Sequence, residues 1–593
     1  MAKYEEEKMK KRILCLLLCM VMMVGVLASC GAKDDSEAVE DINEKASESA
    51  ITLAMYLMSE TEVSAEQEKA IEDAVNKITN ADKIKLELFY YTPDKYYEAL
   101  EKAFADRKAA EEQGLITKPN KDESVEDQTY EDDWGITRIE YPTIDSYQVD
   151  IFYMGGYAKF AEYLEMGMLQ DWNTELKGAS KLNDDYIFPQ YLTYMRSLNS
   201  GVYALPTNKA IGEYTYMLIN TELATKYHYN TVEGLKSFTN ITDATTQDFL
   251  NLVAKNETGY APIYSDLEQY ELASTGVHYW GVDENGNLCN DFSLLASSYS
   301  TSAAYKSKDS YMYVGTAMDT PLVSQLKTIK QYEADGYFGT TDDLANGTAA
   351  IAYLKGGAEI PAMYADKYTA VVIDYPQITT EDIYSDMFAV TTYSSNSSRS
   401  MEIVTKLNTD EAFRNLILYG ISKDEAPEGV EPNYEWVDSE YTDANGKPYQ
   451  VIRRLNENYM MDINKTGNTL IAACLEGENP NNLREFVKAQ NNDVKTSILM
   501  GFHLNYNNLK VNPEELQALR TVSATALEML NNATVENFDE VVKSIRGLFT
   551  NEAKVVYNLS YNIEPAEGDE FCTFGYVYNL WATDLGIAPD EEE

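Results

Sequence analysis

The sequence predicts an α/β fold in two lobes, and three observations support this prediction. From residue 51 onward, short apolar runs alternate with stretches of helical periodicity, which is the pattern of a parallel sheet with helices on both faces. A second set of strand-like runs begins at residue 214 and reaches residue 374. The chain has 593 residues, whereas a single hydrophobic core stops growing at about 250–300 residues. At least two domains are therefore expected.

The first elements follow the order β-α-β-α-β-α. The strands are the apolar runs ITLAMYL (51–57), IKLELFY (84–90) and VDIFY (149–153). Three helices are expected, one over Glu66 to Ile78, one that opens at Pro93 with Tyr97, Leu100 and Phe104 on one face, and one that carries Tyr157, Phe160 and Leu164 and stops at Gly167. The polar, acidic stretch 111–135, between the second helix and the third strand, is predicted to be a surface insertion.

The second lobe is predicted from three more strands and two turns. The strands are YTYMLI (214–219), AAIAY (349–353) and AVVID (370–374). Hairpin turns are expected at Asn285-Gly286 and Asn445-Gly446. Neither turn has the spacing or the terminal glutamate of a calcium loop, so no metal is predicted there.

The N-terminal residues predict export. Four basic residues between positions 8 and 12 precede the uncharged run ILCLLLCMVMMVGVL (13–27), which is shorter than the about 20 apolar residues of a membrane span. The sequence Leu27-Ala28-Ser29-Cys30 resembles a bacterial lipobox. Residues 1–29 are therefore expected to be a lipoprotein signal peptide, Cys30 to be lipidated, and residues 30–50 to form a flexible acidic tether. Translation from Met1 or from Met9 stays open.

Composition excludes several classes of function. Residues 1–29 carry five basic and three acidic side chains, and the rest of the chain carries 43 and 94, a formal net charge of −51. Such a surface repels nucleic acid and anionic headgroups, so only the lipid is expected to hold the protein at a membrane. The scattered cysteines (Cys289, Cys474, Cys572) and histidines (His228, His278, His503) favour neither a disulfide framework nor a metal site. No cofactor is expected.

The order of features resembles a bacterial extracellular solute-binding protein, the lipid-anchored receptor of an ABC importer for carbohydrates, in the broad group of maltose-binding protein. Four stretches carry this resemblance: the lipobox with its tether, VDIFYMGGYAKFAEYLEMGMLQDW (149–172), GVYALPTNKAIGEYTYMLINTELATKY (201–227) and DMFAVTTYSSNSSRSMEIVTKLNTDEAFRNLILYGI (386–421). The last three are similar, in this order, to the family's ligand loop with its helix, to the segment that crosses between lobes, and to the return crossing. The resemblance covers most of residues 51–470.

The resemblance implies a two-lobed fold of the class II type, with hinge strands and a ligand cleft between the lobes. It implies an N-terminal lobe from residues 51–208 and 391–450, and a C-terminal lobe from residues 209–390 and 451–593, the last part being a helical closing region. It also implies a monomer that lies outside the cell membrane and delivers its ligand to permease subunits.

A sugar presents hydroxyl groups and apolar faces, so its site needs aromatic rings and short polar side chains on loops. The candidate ligand-binding residues follow strands or lie on crossings: Tyr56, Ser59, Glu60, Met154, Gly155, Gly156, Tyr157, Asn208, Glu213, Tyr214, Tyr216, Trp280, Gly356, Gly357, Tyr393, Ser394 and Arg399. The 46 tyrosines against 17 phenylalanines also favour a wet, semi-apolar binding surface.

Three other functions stay open at this point. A receptor for peptides or another small solute would have the same architecture. A surface enzyme acting on glycosides would need a carboxylate pair at a separation that sequence cannot give, and the sequence contains no nucleophile elbow, HExxH motif or phosphate loop. A cell-surface scaffold could retain the lobes without a working cleft. The prediction is a binding protein without enzymatic activity.

Overall fold

The computed structural model describes residues 49–551, with gaps. The described ranges are 49–114, 128–131, 136–174, 176, 189–199, 201–229, 241–273, 278–282, 288–289, 297–299, 313–314, 322–394, 396–443, 445–481, 483–497, 500–501, 510 and 512–551. The predicted signal peptide, Cys30, almost all of the tether, most of the 111–135 insertion, the Asn285-Gly286 turn and the chain after residue 551 lie outside them.

The strands are numbered in chain order. They are β1 (Ile51–Met58), β2 (Ile84–Tyr91), β3 (Gln128–Glu131), β4 (Thr137–Glu140), β5 (Ile151–Met154), β6 (Leu205–Pro206), β7 (Tyr214–Asn220), β8 (Ala261–Ser265), β9 (His278–Val282), β10 (Leu288–Cys289), β11 (Ser297–Tyr299), β12 (Tyr313–Val314), β13 (Ala349–Gly356), β14 (Tyr368–Asp374), β15 (Gln377–Ile378), β16 (Met387–Val390), β17 (Tyr434–Thr442), β18 (Pro448–Arg454) and β19 (Lys495–Thr496).

The helices are numbered in the same way. They are α1 (Ala65–Thr79), α2 (Pro93–Glu112), α3 (Tyr157–Glu165), α4 (Pro189–Asn199), α5 (Thr221–Lys226), α6 (Ala244–Asn256), α7 (Gln269–Ala273), α8 (Leu322–Ala334), α9 (Thr341–Asn346), α10 (Ile360–Met363), α11 (Thr380–Tyr384), α12 (Ser397–Thr409), α13 (Glu411–Tyr419), α14 (Leu483–Asp493), α15 (Pro513–Asn531) and α16 (Phe538–Asn551). Short 3-10 turns cover Asn80–Asp82, Ile463–Thr466 and Thr469–Ile471.

The first sheet has the strand order β2-β1-β5-β16-β6. Strands β1, β2 and β5 are parallel, while β16 runs antiparallel to both β5 and β6. This confirms the predicted β-α-β-α-β-α start, since α1 and α2 connect the parallel strands. We call this sheet with its hydrophobic core the first lobe.

Local signals explain why its helices begin where they do. The Ser64 side chain accepts a hydrogen bond from the Gln67 amide at the start of α1, and Pro93 occupies the first turn of α2. The predicted apolar face of α2 needs one correction. Tyr96 is fully buried and Tyr97 only partly, because the Tyr97 hydroxyl turns toward the edge of the sheet.

The second sheet has the order β14-β7-β13-β8, with β7 antiparallel to β13 and β14. One face packs against α6, α8, α15 and α16, and a smaller apolar cluster covers the other face. We call this sheet with its two clusters the second lobe. The prediction of an α/β chain with two lobes is confirmed.

The boundary of the second lobe differs from the predicted one. Strands β17 and β18 form the hairpin expected around Gly446, whose φ is 78°. Ile452, Tyr459 and Met461 are buried in the core of the first lobe. Residues 451 to about 475 therefore pack on the first lobe, and only α15 and α16 of the predicted closing region complete the second.

Candidate functional site

Within the described part of the chain three segments connect the lobes, and two of them join the same two sheet edges. The third follows residue 475 and leads to α15, partly through residues outside the described ranges. We call residues 207–213, between β6 and β7, the first crossing and residues 375–386, between β14 and β16, the second crossing. In the first sheet, Met387 at the start of β16 lies beside Met154 and Pro206 at the ends of β5 and β6. In the second sheet, Gly356 at the end of β13 lies beside Tyr214 at the start of β7.

The carboxyl ends of β1, β2 and β5 thus lie at the edge of the first sheet from which both crossings leave. Ligands of open α/β sheets bind outside such carboxyl ends. The two facing edges and the crossings between them form the candidate site, which we call the cleft.

Gly155 and Gly156 bring main chain to the first-lobe edge. The Gly155 amide donates to the Tyr97 hydroxyl (3.1 Å), and the Gly156 amide donates to the Tyr384 carbonyl oxygen (2.7 Å). A Cβ atom on Gly155 would lie 2.6 Å from the Tyr153 hydroxyl and 2.8 Å from the Ser385 carbonyl oxygen. Glycine is therefore required at 155 by close approach, and at Gly156 by a φ of 86°.

Lys209, Asp386 and Tyr153 form a polar network where the crossings meet the first sheet. Lys209 Nζ lies 2.6 Å from Asp386 Oδ2, and the Tyr153 hydroxyl donates to Asp386 Oδ1 (2.8 Å). The side chains of Lys209 and Asp386 are only 19% and 12% exposed. Burial, with the Asp386 charge beside it, raises the pKa of Tyr153 well above its usual value, so its hydroxyl stays a donor.

A second ion pair lies on the loop after β1. Lys465 Nζ is 2.6 Å from Glu60 Oε1, and the Glu60 amide donates to the Met460 carbonyl oxygen (2.8 Å). Residues of the 455–475 stretch thus contribute to the first-lobe edge, which the sequence analysis did not predict.

Tyrosines line the second-lobe edge. The Tyr216 hydroxyl donates to the Gly357 carbonyl oxygen (3.1 Å), and the Tyr214 hydroxyl donates to Asp493 (2.8 Å). The rings of Tyr214 and Tyr216 lie 5.2 Å apart, and Tyr375 adds a third ring 6.0 Å from Tyr214. Since Tyr375 is 42% exposed, its ring is available to a ligand.

Carboxylates also gather at this edge. Glu213 is exposed on the first crossing, Asp266 follows β8, and Glu359 follows the Gly356-Gly357 turn. Burial raises the pKa of Asp266, and the nearby Glu213 charge raises it further. Within the described part of the chain, Glu213 and Glu359 have no ion-pair partner. Lys495 is a cation at the same edge, with its Nζ 4.9 Å from the Tyr375 ring centroid. Carboxylates outnumber ammonium groups there, so the net charge of the edge is negative.

The structure places ten predicted residues at the two edges: Glu60, Gly155, Gly156, Tyr157, Asn208, Glu213, Tyr214, Tyr216, Gly356 and Gly357. Of these, Asn208, Tyr214 and Tyr216 are buried, at 2%, 3% and 2% exposure, so their side chains support the edges from within. Tyr56, Ser59 and Met154 are buried at the end of their strands, at 3%, 0% and 0% exposure. Tyr56 stacks on Phe89 (5.0 Å), and the Ser59 hydroxyl donates to the Thr61 carbonyl oxygen (2.7 Å). These side chains therefore stabilise the first lobe from within. Trp280 lies on β9 of a separate small sheet, and its side chain is outside the described part.

Tyr393, Ser394 and Arg399 are corrected. Strand β16 runs antiparallel to β5, so the residues after it lie at the opposite edge of the first sheet. Ser394 donates to Asp150 (2.8 Å), and Arg399 pairs with Glu402 (3.2 Å) while only 2% exposed. The candidate site leaves these three out.

The sequence analysis missed Tyr97, Lys209, Tyr375 and Asp386. A usable signal existed for two of them, because Tyr375 directly follows a predicted strand and Asp386 is the first residue of the 386–421 stretch that resembles the return crossing. Among the described residues no cluster of His, Cys, Asp and Glu is arranged to hold a metal ion. None of the described helices has the length and apolarity to cross a membrane.

No protein-family model and no curated protein matches this sequence. Among solved structures, the chain is similar to the N-glycan transport solute binding protein NgtS from Streptococcus pneumoniae, with 17% identity, a TM-score of 0.44, and coverage of 86% of this chain and 98% of that one. It is also similar to the sugar-binding protein MalE from Xanthomonas citri (10% identity, TM-score 0.33, coverage 85% and 99%). A third is an extracellular solute-binding protein family 1 member from Alicyclobacillus acidocaldarius (12% identity, TM-score 0.38, coverage 86% and 99%). At these values the likeness says nothing about the ligand.

Proposed function

We propose that this protein is the substrate-binding lipoprotein of an ABC importer, which captures an extracellular carbohydrate between its lobes without chemically changing it. The observation that carries the proposal is that two crossings join one edge of the first sheet to one edge of the second, and that the two sheets have separate cores. Domains joined by a few chain segments close by hinge motion, and a ligand bound to both edges favours the closed state.

The residues at the edges suit a sugar. The Tyr375 ring offers an apolar surface for C–H groups, and the glycine turns at 155–156 and 356–357 let main-chain polar groups approach hydroxyl groups closely. Such a mixture of rings and fixed polar groups is typical of small-molecule sites.

The charges favour an uncharged sugar. Three lysines near the cleft already have carboxylate partners, Lys209 with Asp386, Lys465 with Glu60, and Lys355 with Glu271 (2.6 Å each). A fourth, Lys495, contacts the Tyr375 ring instead, with its Nζ 4.9 Å from the ring centroid. Glu213 and Glu359 add negative potential that repels an acidic ligand. We infer that neutral oligosaccharides are the substrate class.

The N-terminal sequence supports the rest of the proposal. The lipobox-like stretch ending at Cys30 would anchor the chain to the outer face of the membrane, and the acidic tether would hold the lobes clear of it. There the closed, loaded monomer would meet the permease.

The test uses the exported chain without its lipid. Calorimetric titration and thermal shift against neutral oligosaccharides, with peptides as controls, should give binding by sugars alone. Tyr375→Ala should weaken that binding about fivefold, since a lost ring contact is worth roughly 1 kcal/mol. Trp436→Ala is the matched control, because Trp436 is 41% exposed and has one aromatic neighbour at 5.9 Å, but lies on the β17–β18 hairpin.

Two results would contradict the proposal. If peptides stabilise the protein and no sugar does, the ligand class is peptides and not carbohydrates. Release of shorter sugars during incubation, detected by mass analysis, would make the protein an enzyme.

A further inference from the structure

The end of helix α14 contacts the first crossing through a buried side-chain amide. Asn491 Oδ1 accepts a hydrogen bond from the Ile211 amide (2.9 Å), and Asn491 Nδ2 donates to the Lys209 carbonyl oxygen (2.8 Å). Asn491 is 1% exposed. One side chain thus makes the two hydrogen bonds that a neighbouring strand would make to residues 209 and 211, and it fixes the main chain that carries Lys209.

The preceding residue, Gln490, extends this contact to the second lobe. Gln490 Nε2 donates to the Ile211 and Gly212 carbonyl oxygens (3.1 and 2.6 Å), and Gln490 Oε1 accepts from the Ala358 amide (3.3 Å). Ala358 follows Gly357, whose carbonyl oxygen accepts from Tyr216. Gln490 therefore connects the first crossing to the Gly356-Gly357 turn of the cleft.

The residues that follow α14 bind the second crossing. Strand β19 pairs with β15, with hydrogen bonds from the Lys495 amide to Pro376 (2.8 Å) and from the Ser497 amide to Ile378 (2.9 Å). The crossings also pack directly on each other, because a Cβ atom on Gly212 would lie 3.2 Å from the Gln377 main chain. Residues 490–497, which we call the clasp, thus hold both crossings and the second-lobe turn.

We propose that Gln490 and Asn491 are positioning residues of the cleft, which set the placement of Lys209 on one edge against that of the Gly357 turn on the other. This inference rests on the proposed function. Both residues are neutral amides because the crossing presents one donor and three acceptors, which a carboxylate cannot satisfy and an apolar side chain would leave buried without partners. Both side chains are buried, at 3% and 1% exposure, so the role we assign to them is to hold the main chain and not to contact the ligand.

The test replaces each amide by its isosteric acid. Asn491→Asp removes the donor to Lys209, and Gln490→Glu removes the donors to Ile211 and Gly212, while both retain an acceptor. Asn492→Asp is the matched control, since Asn492 is the next residue of α14, is exposed, and undergoes the same change of charge. The probe is the neutral oligosaccharide that binds the unmodified chain most tightly. The measurements are its dissociation constant by calorimetry and the radius of gyration by X-ray scattering, with and without the sugar.

We expect Asn491→Asp and Gln490→Glu to weaken binding at least tenfold and to change the ligand-free radius of gyration, while Asn492→Asp changes neither quantity. A variant that only loses thermal stability, with the unmodified dissociation constant and scattering curve, would overturn the inference and leave a purely structural role. If the unmodified chain binds no sugar, the proposed function fails. In that case the inference about Gln490 and Asn491 is still tested by the scattering curves measured without sugar. Curves of both folded variants that match the unmodified chain overturn the inference, and curves that differ from it support the inference. If Asn491→Asp does not fold, Gln490→Glu alone gives the same decision.

Discussion

The two edges of the cleft differ in how their charged groups are held. On the first-lobe edge, Asp386 pairs with Lys209 and Glu60 with Lys465, and the first of these pairs is mostly buried. On the second-lobe edge, the tyrosine hydroxyls bond to neighbouring groups, whereas Glu213 and Glu359 have no ion-pair partner among the described residues.

This difference separates two tasks. A buried, hydrogen-bonded ion pair is costly to break, because removing one partner leaves the other charge uncompensated. The first-lobe edge is therefore a rigid, preorganised surface. Carboxylates without partners act on a ligand mainly through their electric field, so under the proposed function we expect the second-lobe edge to select ligands by charge and by ring contact.

The largest effect is expected from Asp386→Ala. The substitution leaves the Lys209 ammonium group without its carboxylate and the Tyr153 hydroxyl without its acceptor. The free energy of unfolding should fall by about 3 kcal/mol, measured by denaturant titration, and sugar binding should be lost. Asp73→Ala is the control, because the Lys69–Asp73 pair is exposed on both sides and should contribute less than about 1 kcal/mol. Equal effects of the two substitutions would show that the first-lobe edge is not rigidly held by this pair.

A somewhat smaller effect is expected from Gly155→Ala. The added methyl group would meet the Ser385 carbonyl oxygen at 2.8 Å and the Tyr153 hydroxyl at 2.6 Å. Neither can move aside freely, because the first is main chain and the second belongs to a buried ring that is bonded to Asp386. Overpacking of this kind costs about 1–3 kcal/mol, and the shifted turn should also weaken sugar binding in calorimetry. Gly547→Ala on α16 provides the comparison, because open space surrounds it and alanine favours the helix by up to about 1 kcal/mol. A neutral Gly155→Ala variant would contradict the close packing of this edge.

Much of the fold follows from local pattern. The period of two in IKLELFY and the apolar spacing of residues 66–78 predict β2 and α1 to within one residue at each end, because burial of one face dictates both patterns. Local pattern predicts the residues of the candidate site less completely than it predicts the fold. The direction of β16 depends on how the chain returns from the second lobe, and this direction moves Tyr393 to the far edge and Asp386 to the cleft.

Pairs distant in sequence could not be predicted. Lys209 and Asp386 are 177 residues apart, and Asn491 and Lys209 are 282 residues apart. A lysine in a crossing or an asparagine near a helix end has the same local signature whether it is solvated or buried against main chain. Only the tertiary fold decides between these states, and this is why the charged network and the clasp escaped the sequence analysis.

The smallest effect concerns the field of the second-lobe edge. Glu359→Gln and Glu213→Gln should leave the dissociation constant of a neutral oligosaccharide within about twofold, because neither substitution removes an ion pair or much volume. An acidic oligosaccharide of the same length should bind the unmodified chain more weakly, and either substitution should improve its binding roughly threefold, as expected for unit charges several ångströms apart near water.

The improvement in binding of the acidic oligosaccharide by the two Gln variants should shrink as the salt concentration is raised to about 0.1 M, where the Debye length is about 10 Å. Glu222→Gln is the control, since Glu222 lies on α5, just beyond the other end of β7, and is exposed like Glu213. Calorimetric titrations of both sugars at two salt concentrations give all of these values. Equal affinity for acidic and neutral sugars in the unmodified chain would mean that a cation, such as Lys495 beside the Tyr375 ring, compensates Glu213 and Glu359, and the contrast between the two edges would then be one of rigidity alone.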